Sequence, residues 1–522
     1  MDSVGTRKKV VLFDANVDYI GIPWGLLQTT ALVDTTEYDI RIITCRDYPD
    51  YEKEILKHCE GAVCVGISCV TSKYIRNGLR VSRAVKERYP DLPIMWGGWQ
   101  AITLPRVTLE NPYVDYVCLG QGERIFSEFL AALTSGDSTV LRAIKGLGYK
   151  FGGEVVLNEC RPIENPDTFP IPNLDLVPLA NHTEAGRWGV QRSIAVMTSV
   201  GCPYRCGFCC EQNFCHRIWL GSSPDHLMTL LGKIKEHVDY DAIKIGDSNF
   251  FANEQRVVDI CQRLIDGKCN VRLVQANGRT NTLLRYKEST WQLLKTAGLA
   301  SILVGSESAD NETLKFINKD ATFEQTLELC RIAKRHGIAL FLSNVIGFPK
   351  PEYFTQDPAA VARKEFKELY AFYKEAAIEL GIDVDFGTFF FTPFPASPLF
   401  DESVRNGFVP PQTLDEWADY ELTEVNVPWL RMARVDRRRL EMFRYICRLF
   451  GSDSASYIRQ LPIFVRVPSM LIDRTAKAVA RFRLRVNFLS CPVDQYCMEG
   501  LEALFRRVNN RVRMLNITKK TI

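Results

Sequence analysis

Five of the 17 cysteines fall in one short segment: Cys202, Cys206, Cys209, Cys210 and Cys215. In Ser199-Val200-Gly201-Cys202-Pro203-Tyr204-Arg205-Cys206-Gly207-Phe208-Cys209-Cys210 the first three stand at the spacing C-x3-C-x2-C. Thiolates are soft ligands that suit iron–sulfur clusters and zinc. Three neighbouring thiolates can hold three irons of a cubane and leave the fourth open to a substrate. A zinc ion would need a fourth protein ligand to close its tetrahedron, which Cys210, Cys215 or His216 could supply. Polar Arg205 and Gly207 between the cysteines argue for a loop rather than buried packing. Cys64 and Cys69, in contrast, sit singly in apolar runs and read as small buried hydrophobes.

The cysteine loop must be carried by what surrounds it. Residues 191 to about 400 alternate strand candidates with helical stretches. The strands are Ile194–Met197, Ala242–Ile245, Arg272–Gln275, Ser301–Val304, Ala339–Leu342 and Thr388–Phe391. Six such units make a βα barrel or partial barrel, with chemistry expected just after each strand. Residues 9 to about 130 alternate in the same way, from Val10–Phe13 through Ile40–Ile43, Ala62–Ser68, Pro93–Gly98 and Val114–Val117. That pattern implies a doubly wound parallel sheet, which binds ligands at the carboxyl ends of its strands. The fold class expected is therefore α/β, with a Rossmann-like domain (1–135), a Gly/Pro-rich linker with one small hairpin (136–190), a partial βα barrel (191–400) and a mainly helical region (401–522).

Composition narrows the class. The chain has 522 residues, enough for two or three domains. A formal charge of +3 gives no argument for nucleic acid or an anionic membrane. No apolar run reaches the ~18 residues of a membrane span. The basic N-terminus leads into a short apolar run ended by Asp14, which reads as a buried first strand rather than a signal peptide. A cytoplasmic protein is expected, and its cysteines are not expected to form disulfides.

C-x3-C-x2-C after the first strand of a βα barrel resembles the radical S-adenosylmethionine family. Gly201-Cys202-Pro203-Tyr204-Arg205-Cys206 is similar to the family's flanks. Asn277-Gly278-Arg279, Ala297-Gly298, Gly305-Ser306-Glu307-Ser308 and Ile346-Gly347-Phe348-Pro349 follow in the family's order. Phe391-Thr392-Pro393-Phe394-Pro395-Ala396-Ser397-Pro398-Leu399 resembles the closing element of its cobalamin-dependent branch, with Ala396 where a glycine is usual. The resemblance implies a [4Fe–4S] cluster on Cys202, Cys206 and Cys209, with S-adenosylmethionine chelating the open iron. It also implies cofactor contacts from Asp247 to the ammonium, Arg279 to the carboxylate, and Ser306 and Glu307 to the cofactor or its ribose. Gly347 and Pro349 would let backbone approach the adenine or ribose.

In front of the barrel, Gly66-Ile67-Ser68, Trp96-Gly97-Gly98-Trp99 and Gly120-Gln121-Gly122-Glu123 each follow a strand. As an ordered set they look like the cobalamin-binding domain that precedes many radical enzymes. On that resemblance Ser68, Trp96, Gly97, Gly98, Trp99, Gly120, Gly122 and Glu123 are candidate cobalamin contacts. Trp96 and Trp99 are expected against the lower corrin face. The histidine motif of other cobalamin proteins is absent, and His58, the only histidine of residues 1–135, has no aspartate two residues before it. No histidine lower ligand is expected. The resemblance implies methyl transfer to an unactivated carbon of a small molecule or natural-product intermediate, fed by an electron donor such as flavodoxin or ferredoxin. The same cofactors also serve rearrangements and cyclisations. A non-catalytic cobalamin- or metal-binding regulator is the remaining alternative.

Overall fold

Val10, Val11, Leu12 and Phe13 are fully buried, and they form the centre of the first sheet. The computed structural model describes residues 7–17, 21–136, 138–185, 187–267, 270–382, 384–421, 427–451, 463–490 and 495–496. Strand β1 (Lys8–Asp14) lies between β2 (Tyr38–Thr44) and β3 (Ala62–Ser68), followed by β4 (Ile94–Gly97) and β5 (Tyr116–Cys118), all parallel. Order therefore reverses at β1, and crevices at such reversals are where doubly wound sheets bind ligands. The hairpin β6 (Leu147–Phe151) and β7 (Glu154–Leu157) adds two antiparallel strands beyond β5. Part of the segment read as linker thus completes this sheet. It covers the backbone that a free β5 edge would leave unpaired.

The second sheet has the order β16-β15-β14-β13-β12-β9-β8. Its six parallel strands are β9 (Arg192–Val196), β12 (Ala242–Ile245), β13 (Arg272–Gly278), β14 (Ser301–Glu307), β15 (Ala339–Ile346) and β16 (Val384–Phe390). Short β8 (Thr183–Ala185) pairs antiparallel with β9. A separate hairpin, β10 (Ser199–Gly201) with β11 (Trp219–Gly221), brackets the cysteine loop. The barrel stays open, so its last strand needs a cover. Helix Arg434–Gly451 supplies one, Phe443 meeting Tyr373 at 5.4 Å and Phe386 at 6.3 Å between ring centres. A further helix, Ile463–Arg485, follows. The expectation of helix over the rest of 401–522 falls outside the described residues at 422–426, 452–462, 491–494 and 497–522.

Two contacts fix the sheets against each other. Trp24 Nε1 donates to the Ala195 carbonyl at 2.8 Å. His182, nearly buried, has Nε2 3.0 Å from Asp47 Oδ2 and Nδ1 3.0 Å from the Gly21 carbonyl oxygen. Among the described residues, no helix is long and apolar enough to cross a membrane.

Candidate active site

Strand β10 delivers the chain to Cys202. The turn there requires glycine: Gly201 has φ +82°, and a Cβ would lie 2.2 Å from the Ile218 carbonyl oxygen. The loop is then tied at both ends of its course. Gly207 N–H donates to the Ile317 carbonyl at 2.8 Å, and the Gly207 carbonyl accepts from Leu399 N–H at 2.8 Å. Gln212 Nε2 donates to the carbonyls of Cys206 (3.1 Å) and Cys209 (3.2 Å). Asn213 donates to the Ala396 carbonyl. Ala396 itself has φ +61°, so the turn keeps its left-handed form although a Cβ now occupies it. Buried Cys215 touches Cys202 twice, its Sγ lying 3.4 Å from both the backbone N and the carbonyl O of Cys202. Nothing in the sequence marked Cys215 for this contact except its proximity.

Burial pushes the Cys202 thiol up to about 11 and the Cys209 thiol higher still. A cation that binds the thiolates reverses that preference. Among the described residues, no three His, Cys, Asp or Glu side chains converge on a single ion. In a cubane each cysteine binds a different iron.

Arg279 is at the loop, not free at the barrel mouth. Its Nη1 donates to Cys206 Sγ at 2.7 Å, Nη2 donates to the Lys319 carbonyl, and its guanidinium lies 3.7 Å over the Tyr204 ring. Among the described residues, Nε remains buried with no partner. That unpaired donor fits a carboxylate such as the one S-adenosylmethionine carries.

Other expected cofactor contacts stand differently. Asp247 is fully buried, and its carboxylate accepts from Thr198 N–H (2.5 Å), Thr198 Oγ1 (2.6 Å) and Ser199 Oγ (2.6 Å). Burial pushes its carboxyl up, against those bonds and the charge of Arg256. The acid therefore braces the start of the cysteine loop and is not available to an ammonium. Arg256 was not foreseen; its Nη2 donates to the Thr198 carbonyl at 2.7 Å from helix Glu254–Asp266. Glu307 has φ +63° and its Oε1 is paired with Lys319 Nζ at 2.8 Å, both buried. Ser306 Oγ donates to Asn344 Oδ1 at 2.9 Å. Gly347 has φ +93°, but the protein fills its surroundings. Its N–H donates to Glu365 Oε2, its carbonyl accepts from Trp429 Nε1, each at 3.0 Å, and Leu430 lies where a Cβ would point. Pro349 is buried beside it. Trp429 and Leu430 thus occupy the space beside Gly347. The pairing of a loop-end acid with a lysine twelve residues away leaves no periodic signal in the sequence.

A cavity of about 750 Å³ opens between the carboxyl ends of the first sheet and the cysteine loop. That is the size range of sites that enclose a whole ligand. Ser68, Gly97, Gly98, Trp99, Gly120, Gly122 and Glu123 line one wall, and Ser199, Gly201, Glu211 and Gly246 the other. Trp99 meets Phe214 edge-on, 5.8 Å between ring centres. Trp96 is a correction. It is fully buried on the opposite face of β4, its Nε1 donating to Ser82 Oγ at 3.0 Å, while its neighbours Met95 and Gly97 face the cavity. Alternation along a strand dictates this. His58 pairs with Glu54 at 3.0 Å on helix Tyr51–Cys59, and the histidine that does line the cavity, His226, comes from the barrel. The residues present fit the groups implied: three loop thiols, an arginine donor unpaired among the described residues, and a cavity at the reversal of strand order.

Comparison with known proteins agrees. Residues 196–353 match the radical SAM superfamily and residues 10–130 the B12 binding domain. An uncharacterized methyltransferase of Pyrococcus horikoshii is 30% identical over 397 residues, covering 74% of this chain and 80% of that one. The anaerobic magnesium-protoporphyrin IX monomethyl ester cyclase of Synechocystis sp. is 22% identical over 332 residues, covering 62% of this chain and 64% of its own. The solved structure of the cobalamin-dependent S-adenosylmethionine radical enzyme OxsB, with aqua-cobalamin and S-adenosylmethionine bound, superposes with a TM-score of 0.70. It covers 96% of this chain and 75% of its own at 16% identity. The chain belongs to the cobalamin-binding radical S-adenosylmethionine family, and it is a cobalamin-dependent radical enzyme whose cofactors are a [4Fe–4S] cluster, S-adenosylmethionine and cobalamin.

Proposed function

We propose that this enzyme methylates an unactivated carbon of a small-molecule or natural-product intermediate. The observation that carries the reading is the cavity shared by the carboxyl ends of the first sheet and the cysteine loop. A corrinoid held there would border the site of S-adenosylmethionine. Cobalamin and the cluster, when bound, supply methyl carriage and one-electron cleavage of S-adenosylmethionine. Cys202, Cys206 and Cys209 would ligate the cluster, and Arg279 Nε would take the methionine carboxylate. Ser68, Gly97, Gly98, Trp99, Gly120, Gly122 and Glu123 would line the corrin, with no histidine beneath the metal. Phe208, Phe348 and Phe391, in ring contact at 5.6 and 5.2 Å, would help keep water from the adjoining barrel mouth. The division of labour would be 1–135 for cobalamin, 191–400 for radical chemistry and 401–522 for covering the barrel. Residues 136–190 would join them, their hairpin belonging to the first sheet. A flavodoxin or ferredoxin would supply the electron.

An anaerobic assay with methyl-labelled S-adenosylmethionine tests this. S-adenosylhomocysteine formed beside 5′-deoxyadenosine, with label in the product, supports methylation. The likeness to a cyclase favours a second reading, oxidative cyclisation or rearrangement with the same cofactors. It predicts 5′-deoxyadenosine without S-adenosylhomocysteine. A Cys206→Ala protein that kept its full cluster and cleaved the cofactor would overturn both.

A further inference from the structure

The cavity wall holds acids without basic partners of the lysine or arginine kind. Among the described residues that line it there is no lysine and no arginine, while three carboxylates do line it: Asp14, Glu123 and Glu211. Asp14 ends β1 at the cavity floor, 7% exposed, and among the described residues accepts from Asn16 alone, at 2.6 Å from Nδ2 and 3.2 Å from N–H. Glu123 lies in the first turn of helix Gly122–Ser135, 6% exposed, and among the described residues no other residue donates to its carboxylate. Burial pushes its carboxyl up, and its own backbone N–H and the helix N-terminus work against that shift. Glu211, on the opposite wall, accepts from Ser248 Oγ at 2.7 Å. The one histidine there, His226, has Nδ1 3.6 Å from Asp167 Oδ1 and so faces an acid already.

A buried carboxylate with acceptor capacity to spare gains from each further N–H that a ligand supplies. A carboxylate brought to the same place supplies none and adds like-charge repulsion in a medium that screens it poorly. The rim of a corrinoid carries either primary amides or free carboxylates. We propose that Asp14 and Glu123 make this cavity select a corrinoid with an amide rim over one with a carboxylate rim. The two acids accept amide N–H bonds and repel rim carboxylates, so the enzyme discriminates between the finished cofactor and its acidic precursors. The inference rests on the cavity being the corrinoid site, as proposed above.

The test is equilibrium binding to the full chain under anaerobic conditions, read by corrin absorbance. The probes are hydroxocobalamin, cobinamide (amide rim), cobyrinic acid (carboxylate rim) and its neutral heptamethyl ester. Cobinamide is expected to bind about 10- to 100-fold more tightly than cobyrinic acid. The ester should recover part of that loss by removing the repulsion alone. In Asp14→Asn/Glu123→Gln the ratio should shrink at least about threefold, mainly because the acid binds better. If the double variant does not fold, the ester comparison on the wild-type chain decides. Equal affinity for cobinamide and cobyrinic acid overturns the selectivity alone. Failure of hydroxocobalamin and cobinamide to bind overturns the cavity assignment and the selectivity with it.

Discussion

Arg279 Nη1 and Cys206 Sγ stand 2.7 Å apart, a guanidinium donor on a cysteine of the C-x3-C-x2-C loop. The arginine cannot drift from this position. Tyr204 stacks beneath it at 3.7 Å and is itself held by Thr282 Oγ1 at 2.6 Å, and the Lys319 carbonyl takes a second N–H. Hydrogen bonds to cluster sulfurs raise the reduction potential, because they stabilise the more negative reduced state. Arg279→Gln should therefore lower the potential of the reconstituted cluster by about 40–60 mV, which for one electron is roughly 1–1.4 kcal/mol. A redox titration followed by electron paramagnetic resonance measures it. An unchanged potential would mean that the contact does not persist once the cluster is bound.

Much of this arrangement was legible in the sequence, for reasons that differ by residue. Ala242–Ile245 reads as a strand because a strand buried on both faces is a continuous apolar run, and β12 has those bounds. The cysteine spacing is local and so survives without any tertiary information. Trp96 looks like a cavity residue in the sequence because an aromatic before Gly97-Gly98 reads the same whichever face it takes. The two-residue alternation with Met95 and Gly97 held the answer. Asp247 follows a strand and Glu307 ends one, as cofactor-binding acids do, yet their carboxylates are used by Thr198, Ser199 and Lys319. Those pairings come from the curl of the second sheet. Asp14, Glu211 and His226 reach the cavity from three separate elements, which no spacing rule connects.

Gly98 turns β4 into the cavity wall at φ +79°, ψ −172°, a region that belongs to glycine. A Cβ there would lie 2.7 Å from the Cys69 carbonyl oxygen and 3.0 Å from its nitrogen, and backbone cannot yield as a side chain can. Gly98→Ala should cost about 2–4 kcal/mol. Thermal unfolding would show a lowered midpoint, and corrinoid binding should weaken with it. A variant with wild-type melting and binding would show that the turn relaxes.

Asp14 makes stability depend on pH in a direction opposite to that of a paired surface acid. Burial raises its carboxyl from 3.8 to about 6, against the Asn16 bonds and the charge of His182. The folded state therefore holds its proton more tightly than the unfolded state. The stabilisation from that proton is complete below about pH 4 and is lost as pH rises through 6. The difference amounts to about 3 kcal/mol above pH 7, with about half of that loss already incurred at pH 5. Asp14→Asn removes the ionisation, so the apo variant should melt higher than wild type at pH 7.5 and its advantage should shrink at pH 5. Melting curves at the two pH values give the comparison. An advantage that grows toward low pH would contradict the assignment.

The loop after β15 is held by an ion pair that solvent does not reach. Lys350 Nζ lies 2.9 Å from Glu365 Oε1 and 3.6 Å from Asp310 Oδ2, while Glu365 Oε2 accepts from Tyr353 Oη (2.7 Å) and Gly347 N–H (3.0 Å). Glu365 thus ties helix Pro358–Lys374 to the turn at Gly347, next to the aromatic group of Phe348 and Phe391. Removing Glu365 leaves buried Lys350 with Asp310 alone at 3.6 Å, at a cost approaching the roughly 3–5 kcal/mol of a broken buried pair. Glu365→Ala should therefore lower the melting temperature more than Lys350→Met/Glu365→Leu, which removes both charges together and keeps apolar volume. The double variant should recover most of the stability lost in the single one. Equal losses in the two proteins would show that the hydrogen bonds to Tyr353 and Gly347, rather than the charge pair, hold the loop.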